Sequence, residues 1–269
     1  MKSPCFTLIL FHVWVSSTPP LLSFSFDLTY TDICAWQNKL ACHGHIYLGE
    51  HQGWYAVSDE AFYPESQICA TKQQSGSSSE TVYTSIETGQ RVEWTTETNY
   101  KFRLSAFQQP LLDWLENNRE VIQPSNMYDH VLAEVRSGLQ DLSISRLRSR
   151  LSWGIPVPGD PQHTMYVWMD ALVNYMTALG YPDMQPGWPA DVHIVGKDIV
   201  RFHAIYWPAF LMAAGLPLPR TIVAHSHWTV NKAKMSKSKG NAINPFQALH
   251  TYGVDTMRYY LMRIGGHIG

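Results

Sequence analysis

Between Lys232 and Asn241 the chain reads Lys-Ala-Lys-Met-Ser-Lys-Ser-Lys-Gly-Asn, four lysines interleaved with small hydroxyl residues and closed by a Gly-Asn turn pair. Lysine is a compact point charge on a flexible stem, suited to following an anion whose charge moves during a reaction. Phosphoryl chemistry asks little covalent work of a protein, so mobile cations around a triphosphate are a large part of what a site can supply. A run of this composition also fits an ordinary solvated surface loop. What flanks it has to decide.

Thr221–Val230 has the β-branched and aromatic content of a strand, and Asn244-Pro245 reads as the N-cap and first residue of a helix. The lysines therefore fall on a loop between strand and helix, a usual place for phosphate handling in α/β folds. Upstream, His193-Ile-Val-Gly196 reads as a short strand of buried type. Gly196 lets the backbone pass close to a ligand, and Asp198 opens the next helix, where a carboxylate either accepts ribose hydroxyls or caps the helix. Lys197 is not a Walker lysine, because no G-x-x-x-x-G-K-[ST] occurs. There is no credible Ser-His-Asp or Cys-His constellation for a protein nucleophile.

The 269 residues suffice for one large domain or two small ones. With a net charge of −2, no global basic field advertises nucleic-acid binding, so any RNA contact has to be local. Cysteines at 5, 34, 42 and 69 form no C-x-x-C pair, which argues against a zinc ribbon or a secreted disulfide scaffold. His43, His45 and His51 lack the spacing of a metal site. The apolar run Cys5–Val15 is too short to span a bilayer, and no membrane association is expected.

Along the chain, residues 1–43 stay unassigned. Gly44–Val57 is strand-like with glycine turns, and Gln73–Glu80 reads as a polar low-complexity loop. Val92/Trp94 and Tyr100/Phe102/Leu104 alternate as strands, giving a small antiparallel β region. Helices are expected from Pro110 and over Tyr128–Leu139, with Gly138 near the end of the second. The domains read as 44–139, a β insertion with linking helices; 140–250, the second half of a doubly wound parallel α/β fold; and 251–269, the start of a helical region.

Several of these segments resemble the class I aminoacyl-tRNA synthetases, and specifically the methionyl-tRNA synthetase family of organellar or bacterial type. Lys234-Met-Ser-Lys-Ser238 is identical to the second signature of that class. Asp141–Arg146 and Trp153–Asp160 look like the strand and loop where the family's chain re-enters its catalytic fold. Tyr166–Tyr175 looks like its methionine-pocket segment, and Gly196–His203 with Ala204–Phe210 like its nucleotide and side-chain contact helix. The matches stand in the family's order over about Gly44 to Arg263. Gly49–Glu60 is similar to the family's insertion knuckle but has Ala56 and Ser58 where metal-binding relatives carry cysteine, so no structural zinc is expected.

The resemblance implies a Rossmann-like fold and a two-step reaction: methionine attacks the α-phosphate of ATP, supplied with Mg2+, and the methionyl group then passes to tRNA(Met). Lys234 and Lys237 would be the catalytic cations. Gly196, Asp198, Met235, Ser236 and Ser238 would complete the ATP contacts, with Gly240 as hinge. Trp168, Ala171, Tyr175 and His203 would take the methionine. A thioether wants a polarisable, mostly apolar slot. With a helix from about Asp170, Ala171 and Tyr175 share a face, and Trp168, at the end of a Met165–Met169 segment, would close the slot. Without the resemblance Trp168 and Tyr175 would be read as core. A monomer in the mitochondrial matrix is the implied setting, the cytoplasm the alternative.

The family's first signature, His-Ile-Gly-His, has no counterpart ahead of the insertion. His43-Gly-His-Ile46 leads into strand-like sequence, and Gly266–Gly269 closes the chain. Two functional readings follow: a methionine–tRNA ligase, or a non-catalytic piece of one that at most binds nucleotide or RNA weakly. Removal of the first strands should also leave the parallel sheet with an unpaired apolar edge. A sister synthetase for leucine, isoleucine or valine is the third possibility.

Overall fold

The computed structural model describes residues 26–57, 61–63, 65–75, 78–86, 89–183, 187–226, 228–230, 233–235 and 240–265. In chain order the helices are α1 (Phe26–Cys42), α2 (Gln108–Asn117), α3 (Ser125–Arg136), α4 (Val167–Thr177), α5 (Trp207–Ala213), α6 (Pro245–Tyr252) and α7 (Val254–Gly265). The strands of the first half are β1 (Ile46–Ala56), β2 (Ala61–Tyr63), β3 (Ile68–Ser75), β4 (Ser78–Ser85) and β5 (Glu93–Phe102). They are followed by β6 (Ile122–Gln123), β7 (Leu142–Ser143), β8 (Ser145–Leu147), β9 (Pro156–Val157) and β10 (Asp160–Met165). The last four are β11 (His193–Gly196), β12 (Ile222–His225), β13 (Thr229–Val230) and β14 (Ala233–Lys234).

The chain divides into two compact units. One comprises residues 33–104 and 140–171; the other holds 1–32, 105–139 and 172–269. The first is antiparallel. Strands β2-β1-β5-β7 form its main sheet, with the β1–β5 ladder running from Ile46↔Phe102 to Tyr55↔Glu93. A second sheet runs β8-β10-β9. Tyr55, Phe102, Ile144 and Met165 are buried within this unit. So are polar groups: Glu97 lies 2.6 Å from the Arg150 guanidinium and accepts from Asn99 Nδ2 at 3.1 Å. Buried Arg146 lies over the rings of Phe62 and Tyr166, and burial lowers its pKa.

The Ser/Gln-rich segment expected to be a loop is a hairpin instead. Strands β3 and β4 pair from Ile68↔Ser85 to Ser75↔Ser78. Backbone pairing needs no apolar face, so a polar sequence can still complete a ladder when its flanks set the register.

The second unit carries the parallel sheet β11-β12-β6, with His193↔Ile222 through Gly196↔His225 and Ile222↔Ile122 in register. Val195, Ile222, Ala224 and Ile122 are buried in it. Strand β11 was expected to be of buried type, yet it alternates: His193 and Val195 point inward while Ile194 is 71% exposed. As an edge strand, β11 has a neighbour on one side only among the described residues. Helices α2 and α3 belong to this unit, joined by Tyr128 Oη donating to the Leu115 carbonyl at 2.9 Å and by an Arg136–Glu116 ion pair.

Candidate functional site

The parallel unit gathers an aromatic cluster around Tyr175, in the last turns of α4. Between Val200 and α5 the helix widens into a π-turn at Phe202–Tyr206, which turns His203 fully inward. Such turns insert one residue into a helix and recur at functional sites. The Tyr175 hydroxyl and His203 Nε2 are 2.8 Å apart, and His203 Nδ1 is 2.9 Å from the Ile199 carbonyl. A carbonyl only accepts, so Nδ1 carries the proton and Nε2 accepts from the phenol. The imidazole is thereby fixed as the neutral tautomer. Burial holds its pKa down at about 4, and that of His193 at about 3, with His203 adding to the second. Burial also raises the Tyr175 phenol.

Around this pair, the rings of His193 and Trp207 lie 4.4 and 6.2 Å from Tyr175, and Trp188 lies 5.8 Å from Trp207. The cluster is therefore uncharged at neutral pH, polarisable and buried. Sulfur on an unbranched chain suits aromatic edges of this kind, whereas a charged side chain would lose its hydration there without a partner.

At the carboxyl ends of β11 and β12, where open α/β sheets receive ligands, Gly196 and His225 stand in register. Asp198 folds back over Gly196, its Oδ1 2.7 Å from where a β-carbon would sit. Any larger residue at 196 displaces that carboxylate. Asp198 is exposed and lies within the short helical turn Lys197–Ile199, whose N-cap is Gly196.

Of the lysine-rich segment, Ser236, Lys237 and Ser238 lie outside the described residues. Lys234 is on β14, one arm of a small hairpin with β13, so the expected Thr221–Val230 strand is two strands, β12 and β13. Met235 donates its N–H to the Trp228 carbonyl (2.9 Å), and its Sδ accepts from the Ile243 N–H (3.4 Å). Gly240 has a φ of +66°, the left-handed conformation that favours glycine. Asn244 caps α6 as expected, its Oδ1 accepting from the Phe246 and Gln247 N–H groups.

Trp168 and Ala171 fall in the antiparallel unit, Tyr175 and His203 in the parallel one. A helix was expected from about Asp170, but α4 begins at Val167 and Trp168 is in its first turn. Ala171 and Tyr175, one turn apart on that helix, share a face. The cluster residues the sequence did not single out are His193, Trp188 and Trp207. Trp207 stands four positions after His203, a helical spacing that would have flagged it; Trp188 carries no comparable signal. His225 was missed because only strand register brings it to Gly196.

A parallel sheet with Gly196 and Asp198 at its carboxyl end, and an aromatic cluster in the same unit, defines part of an open α/β fold. Comparison sharpens this. A family model described as tRNA synthetases class I (M) matches residues 33–268. A probable mitochondrial methionine–tRNA ligase of Schizosaccharomyces pombe is 54% identical over 233 residues, covering 82% of this chain and 42% of that protein. A methionine–tRNA ligase of Rickettsia bellii is 50% identical over 232 residues, covering 85% and 43%. The Mycobacterium tuberculosis methionyl-tRNA synthetase in complex with methionyl-adenylate superposes with a TM-score of 0.79 at 41% identity, over 92% of this chain and 47% of that one. The chain belongs to the class I tRNA synthetases of the methionyl (M) family. It spans a little under half the length of these relatives.

Proposed function

We propose that the chain serves a methionine–tRNA ligase: it activates methionine with ATP and Mg2+ and supports transfer of the methionyl group to tRNA(Met), in mitochondria. The observation that carries this is the neutral Tyr175–His203 pair in its aromatic surround. It offers a thioether uncharged, polarisable partners, and the chain's relatives are methionine–tRNA ligases, mitochondrial forms among them.

On this reading Trp168, Ala171, Tyr175 and His203 take the side chain. Gly196 and Asp198 receive the ribose, and Lys234 and Lys237, with Met235, Ser236 and Ser238, meet the triphosphate. The lysines stabilise charge that builds on the leaving pyrophosphate, and no protein nucleophile takes part. Residues 44–139 are the insertion with its linking helices, residues 140–250 the second half of the catalytic fold, residues 251–269 begin the stem-contact region, and the enzyme works as a monomer without structural zinc.

The test is amino-acid-dependent ATP–pyrophosphate exchange by the 269-residue chain. Exchange with methionine and none with leucine, isoleucine or valine is expected. Lys237→Ala should lower it about a hundredfold, the size of effect typical when one donor to a developing charge is removed. A folded chain that shows no exchange, or exchanges equally with leucine, contradicts the reading.

A further inference from the structure

The β13–β14 hairpin, which leads into the lysine-rich segment, is held at its base by residues outside the signature. After β12 the chain reaches Trp228, forms the β13–β14 hairpin through Thr229↔Lys234 and Val230↔Ala233, and returns the Met235 N–H to the Trp228 carbonyl. Downstream, the Ile243 N–H donates to Met235 Sδ, Asn244 caps α6, and α7 brings Tyr260 back against Trp228. The two rings are near parallel, at 29°, with centroids 6.1 Å apart. This is an offset-stacked geometry within the range where aromatic pairs attract.

The contact closes a circuit. Strand pairing fixes the hairpin's arms to each other, the Met235 sulfur ties the hairpin to the residue before the α6 cap, and the stack ties Trp228 to α7. Tyr260 is half exposed, at 50%. Its ring therefore contributes little to a core, and it stacks on Trp228. A two-residue ladder such as β13–β14 is too short to hold its own orientation. Its direction has to come from outside, and the stack and the Met235–Ile243 hydrogen bond are contacts that supply it.

We propose that Trp228 and Tyr260 are positioning residues that clamp the base of the β13–β14 hairpin to α7, so that the backbone leading into the lysine-rich segment takes a direction set by that helix. The clamp itself stands on geometry alone; its service to ATP rests on the function proposed above.

The test follows hydrogen exchange of the Met235 amide in the full chain, with the Val195 and Ala224 amides of the parallel sheet as folding controls. Tyr260→Ala should speed Met235 exchange about 2- to 12-fold, the range set by one aromatic pair. Tyr260→Phe keeps the ring and should restore the original rate. Adding Trp228→Ala to Tyr260→Ala should change nothing further, as for two residues acting through one contact. Tyr260→Ala should also reduce affinity for ATP more than for AMP, which lacks the β- and γ-phosphates.

Unchanged Met235 exchange in Tyr260→Ala, with both controls protected, overturns the clamp. Equal affinity of the original chain for ATP and AMP, insensitive to Lys234→Ala, overturns the triphosphate reading while leaving the hydrogen-exchange result intact. The two failures are thus distinguishable.

Discussion

Tyr175 and His203 show how one hydrogen bond sets the character of a site. Because Nδ1 is committed to the Ile199 carbonyl, Nε2 has only its lone pair to offer and the phenol has to donate. Burial, which penalises the charged imidazolium, holds the folded-state pKa of His203 at about 4, below the ordinary 6.5, against the opposing pull of the Ile199 carbonyl. The sign follows from linkage: between those values the unfolded chain binds the proton and the folded chain does not, so stability is complete above pH 6.5 and falls as the pH drops toward 4. His193 acts in the same direction and extends the loss toward pH 3. Asp170, raised to about 6 by burial, acts oppositely, its preference for the folded state fading as pH rises through 6. His203→Gln isolates one contribution. It should flatten the acid limb of denaturant-derived stability by up to about 1.4 kcal/mol per pH unit. An unaltered limb would mean that His203 is not held neutral by its surroundings.

At the scale of elements, the interior of β5 shows where sequence patterning reaches its limit. Alternation around Val92, Trp94 and Phe102 announces a strand, and a strand is there. Its phase is different: Trp94 is 57% exposed, while Thr95, Glu97 and Asn99 point inward. Those polar residues are tolerated because Arg150 arrives from the turn after β8 to meet Glu97, a partner far away in sequence. Glu97→Ala should cost about 1–3 kcal/mol in thermal or chemical unfolding, since it strands Asn99 and a guanidinium that still reaches water. A cost under half a kilocalorie would mean the pair is incidental. The hairpin β3–β4 is the complementary case, where polar composition concealed a ladder. Helices fared better: the cap at Asn244 and the apolar spacing in α3 are local signals, and the structure places both close to where they read. In the site, Tyr175 and His203 were legible through short segments. His193, Trp188 and His225 were not, because they join the site only through the parallel register and the packing of separate elements.

At the scale of the whole chain, two facts meet. The sequence carries a methionyl family signature over residues 33–268, and it spans under half the length of its relatives. The parallel sheet has three strands, and the outer side of β11 has no neighbour among the described residues, with Ile194 largely exposed beside it. On the function proposed above, the Tyr175–His203 cluster makes a prediction about selectivity alone, separate from the chemistry of activation.

That prediction is best put to direct binding of non-hydrolysable aminoacyl-adenylate analogues to the 269-residue chain, followed by titration calorimetry. The methionyl analogue should bind at least about tenfold more tightly than the leucyl one, the lower range of what an apolar pocket discriminates. Tyr175→Ala should erase the difference, whereas Asp198→Ala should weaken both equally through the shared ribose. Equal affinity for the two analogues, or a methionyl preference that survives Tyr175→Ala, would contradict the assignment of the Tyr175–His203 cluster to methionine.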